Sequence, residues 1–311
     1  MTMKQCLTAV AIAIALCLPT VASAGYTDTR HPIVLAHGLF GFDDIAGYDY
    51  WYQIPEALRS GGAEVHVTQV AAANSTEVRG EQLARQVESI LASTGASKVN
   101  LIGHSHGGPT ARYVGSVYPQ YVASVTTVAG VNKGSLIADA VAGVAGALPN
   151  DGALIGSIVD TFFAGFIDFI SGGGYDQNSL AALNSLTTEG SEAFNQRHPE
   201  GIPQSRCGET AELASNGVRY FSWSGAKPVT SIFDPLDGAL GTTGLLYSIQ
   251  GLRSDGLVGT CSSHLGNVIR DDYRMNHLDE VNQVLGIVDL WETDPVTVFR
   301  QQANRLKHRG L

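Results

Sequence analysis

Apolar residues recur along this chain in two rhythms. Residues 31–38 (HPIVLAHG) are a short apolar run ending in a glycine turn, the pattern of a buried strand. Residues 64–70 (EVHVTQV) alternate as a half-buried strand does. Residues 50–59 and 75–94 switch to helical spacing. In the second, Ser75 opens the helix and Leu83, Val87 and Leu91 recur at intervals of four. Residues 99–102 return to an apolar strand, a helix opens at Pro109, and residues 121–128 supply another β-branched run. Strand, helix, strand, helix in this order predicts a mostly parallel sheet with helices on both faces. No internal repeat and no low-complexity linker interrupts it.

The middle of the chain is different. Between positions 136 and 170 the only charges are Asp139, Asp151, Asp160 and Asp168. Residues 153–170 predict an amphipathic helix. One face carries Ile155, Ile158, Val159, Phe162, Phe163, Phe166 and Phe169, and three glycines (172–174) end it. A glycine-bounded helix with a greasy face suits a movable lid over an apolar site. Two aspartates within it argue against a membrane span.

The first 24 residues read as a secretory signal, with Lys4, an apolar run over 7–18 and Ala22-Ser-Ala24 before a cut. Residues 25–311 then fit one large α/β domain. The chain carries a formal charge of −10. An acidic surface argues against nucleic acid, whose phosphates need Lys and Arg, and against electrostatic docking to anionic lipid. Cys6 and Cys17 leave with the signal. Cys207 and Cys261 remain, an even pair in an exported chain, which predicts one disulfide.

Candidate chemistry lies at residues 99–109 (VNLIGHSHGGP). G-x-S-x-G between a strand and a helix predicts a nucleophile elbow that lifts the Ser105 hydroxyl into the open. The new helix aims free N–H groups at any oxyanion formed there. A serine nucleophile needs a histidine oriented by a carboxylate, in the chain order Ser, acid, His. Asp255, in Asp-Gly-Leu-Val, is the best acid candidate and reads as an aspartate at a strand's end. With Asp255 as acid, His264 and His277 both satisfy the order. His264 follows Cys261 closely, and sequence logic favours His277.

The chain resembles the secreted bacterial true lipases of the Pseudomonas–Burkholderia family, closest to the smaller, Pseudomonas-type branch. The resemblance runs from about Tyr26 to the C-terminus. It rests on residues 32–38 (PIVLAHG), 77–82 (EVRGEQ), 99–109, 255–266 (DGLVGTCSSHLG) and 273–283 (YRMNHLDEVNQ). It implies an α/β-hydrolase fold with a helical lid over roughly 148–171. The implied activity is triacylglycerol hydrolysis of long-chain acylglycerols at an oil–water interface. It implies the triad Ser105, Asp255 and His277, and oxyanion donors at the backbone N–H groups of Leu39 and His106. It pairs Cys207 with Cys261. It implies one structural Ca²⁺ held by Asp234, Asp279 and the carbonyls of Gln283 and Ile287, a mixture of hard oxygens that suits the ion. Relatives commonly need a dedicated membrane-anchored foldase and leave through a type II secretion system.

Overall fold

The computed structural model describes residues 25–39, 44–45, 48–143 and 175–311. The signal read over 1–24, the amphipathic helix over 153–170 and the lid over 148–171 lie outside the described residues.

Among the described residues, six strands form one parallel sheet. They are β1 (Ile33–Ala36), β2 (Val65–Thr68), β3 (Val99–His104), β4 (Val122–Val128), β5 (Arg219–Gly225) and β6 (Asn267–Tyr273), in the order β2-β1-β3-β4-β5-β6. Every residue of β1, β3 and β4 is buried, as expected of strands covered on both faces. Alternation still sorts their side chains. Ile33, Leu35, Ile102, Val128 and Trp223 join one core with Trp51, Leu58 and Phe299. Val34, Ala36, Leu101, Val125 and Tyr220 join the other with Leu83, Val87 and Val114.

The helices close these two cores. α1 (Ile54–Ser60) and α8 (Pro295–His308) cover the first. α2 (Thr76–Thr94) and α3 (Gly107–Val117) cover the second. Ser75 caps α2 by accepting the Val78 N–H, as its sequence suggests. α1 starts later than the helical spacing from Tyr50, because Gln53 sits in the left-handed region and breaks the run (φ 64°). α3 starts two residues before Pro109. Proline therefore occupies its first turn, where the missing N–H has no intrahelical partner to lose. After β4 come α4 (Leu136–Val141), α5 (Ser179–Leu186) and α6 (Thr188–Arg197), and α7 (Asp237–Ser248) follows β5.

Cys207 and Cys261 are disulfide-bonded. The bond clamps a loop before β5 to the short turn over 260–262 that follows the Asp255 segment.

Candidate active site

Parallel strands deliver their C-terminal ends to one edge of the sheet, and the chemistry collects there. β3 ends at His104, and Ser105 takes a left-handed conformation (φ 55°) before α3 begins. Such a φ is strained for serine and persists only where its surroundings hold it. The Ser105 N–H donates to the Val128 carbonyl at 3.0 Å, and its carbonyl accepts the Gly108 N–H at 3.0 Å. The flanking glycines are required by contact. A Cβ on Gly103 would lie 2.0 Å from the Gly107 carbonyl oxygen, and one on Gly107 would lie 2.1 Å from that of Ala36.

Asp255 does not end a strand. It opens a tight turn closed by a bridge between Ser254 and Gly259. Its Oδ1 accepts the N–H groups of Leu257 (2.8 Å) and Val258 (2.7 Å), so the turn grips its own carboxylate. That fixes Oδ2, which lies 2.7 Å from Nδ1 of His277. The His277 N–H also donates to the Asp255 carbonyl at 3.0 Å. Both residues are buried. His264 lies in a different network, with Nδ1 on the Gly208 carbonyl and Nε2 3.1 Å from Asp271.

The loop after β1 approaches Ser105 through Gly38. A Cβ there would stand 2.8 Å from the Ser105 Cβ and 2.7 Å from the Tyr50 hydroxyl. Its peptide orientations are set by partners. Arg79 donates from Nη2 to the carbonyls of His37 (2.6 Å) and Gly38 (3.1 Å). Burial, then the Arg79 charge, push the His37 pKa down to about 3, so its ring is neutral. Its Nε2 accepts the Val70 N–H, which leaves Nδ1–H to donate to the Gly38 carbonyl at 2.9 Å. A trans peptide points its N–H opposite to its C=O. The Leu39 N–H therefore faces away from Arg79, and the Gly38 N–H, opposite the His37 carbonyl, donates to the Tyr50 oxygen at 3.0 Å. The His106 N–H stands at the start of α3, and its ring is buried with Nε2 3.0 Å from the Thr76 hydroxyl. Leu39 packs in an apolar cluster with Val131, Leu186 and Val258, beside Leu257 of the Asp255 turn.

Several residues here carried no separate signal in sequence. Tyr50 meets Nδ1 of His104 at 2.5 Å. Burial, then the adjacent His277 ring, hold His104 well below its ordinary pKa, so it stays neutral. Its Nε2 lies 3.8 Å from Glu280 Oε2. Burial, then the Asp255 charge, hold Glu280 well above the usual carboxylate range, and its Oε1 accepts the Gly225 N–H. His104, His277 and Glu280 could each offer a metal one ligand atom within 4.8 Å of the others. An ion there would engage the His277 ring that already pairs with Asp255.

A second acidic locus lies just behind His277. Asp234 Oδ2 and Asp279 Oδ1 are buried and have no hydrogen-bond partner. Burial, with Asp234 and Asp237 nearby, pushes Asp279 up to about 7. Asp237 is spent structurally, accepting from the N–H groups of Thr230 and Ser231 and from the Asn276 amide. The Gln283 carbonyl accepts the Leu285 N–H. Two orphaned buried carboxylate oxygens fit a hard divalent cation.

Residues 31–164 match the family model of the alpha/beta hydrolase fold. The chain is 58% identical to a triacylglycerol lipase of Vibrio cholerae over 94% of this chain and 92% of that relative. It is 42% identical to a triacylglycerol lipase of Pseudomonas fragi, over 91% and 98% of the two chains. It is 39% identical to one of Burkholderia plantarii, over 94% and 90%. In fold it is similar to a mature Bacillus licheniformis lipase, with a TM-score of 0.61 at 19% identity over 93% and 95% of the two chains. The chain belongs to the triacylglycerol lipases of the α/β-hydrolase fold.

Proposed function

We propose that this protein hydrolyses the carboxylic esters of long-chain acylglycerols through an acyl-enzyme on Ser105. The observation that carries the reading is the Asp255–His277 pair at 2.7 Å, with the His277 ring 4.5 Å from that of His104, the residue before the strained Ser105. His277 takes the hydroxyl proton on Nε2 as Ser105 attacks the ester carbonyl, and Asp255 steadies the resulting imidazolium through Nδ1. The carbonyl oxygen becomes an oxyanion that accepts the Leu39 and His106 N–H groups. Loss of one such donor costs on the order of 10²–10³ in rate. The ester C–O bond breaks, and the leaving alkoxide takes the proton from His277. Water repeats the attack on the acyl-enzyme, gives its proton to His277, and the fatty acid leaves as Ser105 is reprotonated.

The metal assigned here is one structural Ca²⁺ held by Asp234, Asp279 and the carbonyls of Gln283 and Ile287. Bound, it neutralises the two orphaned carboxylates and braces the loop that carries His277. Residues 1–24 act as a removed secretory signal and residues 25–311 as one hydrolase domain with a lid over about 148–171. The mature chain acts outside the cell, reaching it through the periplasm with a foldase and a type II secretion system as partners. Among the described residues no helix is long and apolar enough to cross a membrane.

The test is hydrolysis of an emulsified long-chain triacylglycerol and of a soluble short-chain ester, with Ser105→Ala as control. High Ser105-dependent rates on the emulsion are expected. Activity confined to the soluble ester would make the protein an esterase and defeat the reading.

A further inference from the structure

Two apolar turns project from the loops that follow β5 and β6, at the same sheet edge as Ser105. At their tips Ile232 is 92% exposed, Phe233 78%, Leu290 90% and Trp291 86%. Scattered exposed apolar residues are ordinary, but adjacent pairs at near-complete exposure are not.

Neither turn is left free to tuck its tip inward. The buried Asp289 carboxylate takes Lys227 Nζ at 2.6 Å, Arg274 Nε at 3.0 Å and the Trp291 N–H at 2.9 Å. Glu292 grips both terminal nitrogens of Arg270, at 3.0 and 2.9 Å, and the Arg274 N–H. On the other turn, Asp237 holds the N–H groups of Thr230 and Ser231, and Asp234 holds that of Leu236. The Lys227–Asp289 ion pair ties the two loops together. A buried carboxylate network spent on displaying Leu-Trp and Ile-Phe to water calls for something apolar on the other side.

We infer that the Ile232–Phe233 and Leu290–Trp291 turns anchor the protein to the surface of an uncharged lipid phase and seat the Ser105 edge against it. The inference rests on the lipase reading for its occupant. Charge supports the same choice. Lys227, Arg270 and Arg274 are balanced by Asp289, Glu292 and Asp272, and the chain's net −10 disfavours anionic headgroups. An indole ring also suits the boundary between lipid and water.

The chain's own tryptophans supply the probe. Of its three, Trp51 and Trp223 are buried and Trp291 is exposed, so changes in emission and quencher access report this turn. Full-length Ser105→Ala protein is titrated with dioleoyl phosphatidylcholine vesicles. A blue shift and a several-fold drop in acrylamide quenching are expected, with no gain when anionic phosphatidylglycerol is added. Leu290→Ser and Ile232→Ser, in the same background, should each weaken partitioning about tenfold. In the chain with Ser105 intact, both should leave turnover of a soluble short-chain ester within about twofold and lower the rate on emulsified triacylglycerol. Vesicle binding that leaves Trp291 quenching unchanged, or that both variants retain in full, would overturn the inference. So would shielding that grows with protein concentration without lipid, which would assign the turns to a second copy. Absence of Ser105-dependent hydrolysis would instead defeat the lipase reading, whatever the vesicles show.

Discussion

Arg79 is a fully buried guanidinium that no carboxylate neutralises among the described contacts. It donates to the main-chain carbonyls of His37, Gly38, Ala71 and Ala72 and to the Thr110 hydroxyl. Burial lowers its pKa to about 9, which still leaves it charged at neutral pH. Its position makes it a positioning residue for the proposed oxyanion loop, because the two carbonyls it holds dictate where the Gly38 and Leu39 N–H groups point. We expect Arg79→Lys, which keeps the charge but reaches fewer carbonyls, to lower kcat on a soluble ester by about 10²-fold with KM little changed. Circular dichroism would check that the fold survives. An unchanged kcat, or a loss in KM alone, would show that the loop holds its shape without the fork. In sequence Arg79 was visible only as part of a family block. One physical signal was there: it lies four residues before Leu83, in phase with the apolar stripe that runs on through Val87. A lone charge on a core stripe has to find partners, but nothing in the sequence says they are carbonyls of a loop forty residues away.

Elements set by local pattern were legible, and elements set by distant contact were not. The runs at 33–36, 99–104 and 122–128 announce buried parallel strands because both faces are covered. The elbow was legible too, since glycine, serine and the strand before them form one local unit. The Asp255 turn was misread as a strand's end because its shape comes from the carboxylate bonding its own N–H groups, which an Asp-Gly-Leu-Val string shares with many turns. The choice between His264 and His277 stayed open in sequence order alone. In the fold, Asp271 and Gly208 occupy the one and Asp255 the other. The loop behind His277 belongs to this scale as well. Asp234 and Asp279 each carry an unpartnered buried oxygen, and Asn276 links the same loop to Asp237 at 2.7 Å. Excess chelator, with metal loss verified by elemental analysis, should therefore lower Tm by several degrees and reduce activity in parallel. Unchanged melting and turnover after verified metal loss would refute the Ca²⁺ assignment.

On the scale of the whole molecule, the parallel sheet gathers the proposed machinery at one edge. Ser105, the oxyanion loop, the acid turn, the histidine loop and the two apolar turns all follow C-terminal strand ends or pack beside them. The acidic charge and the exposed apolar tips then agree on an uncharged lipid phase rather than a charged partner. All of this serves the chemistry proposed at Ser105. Its most direct test is covalent labelling with a p-nitrophenyl alkylphosphonate, followed by peptide mapping. One phosphonyl group per chain is expected, on Ser105. Ser105→Ala should take no label, and labelling of His277→Ala should be slowed by at least about 10³-fold. Label on another residue, or undiminished labelling of His277→Ala, would contradict it.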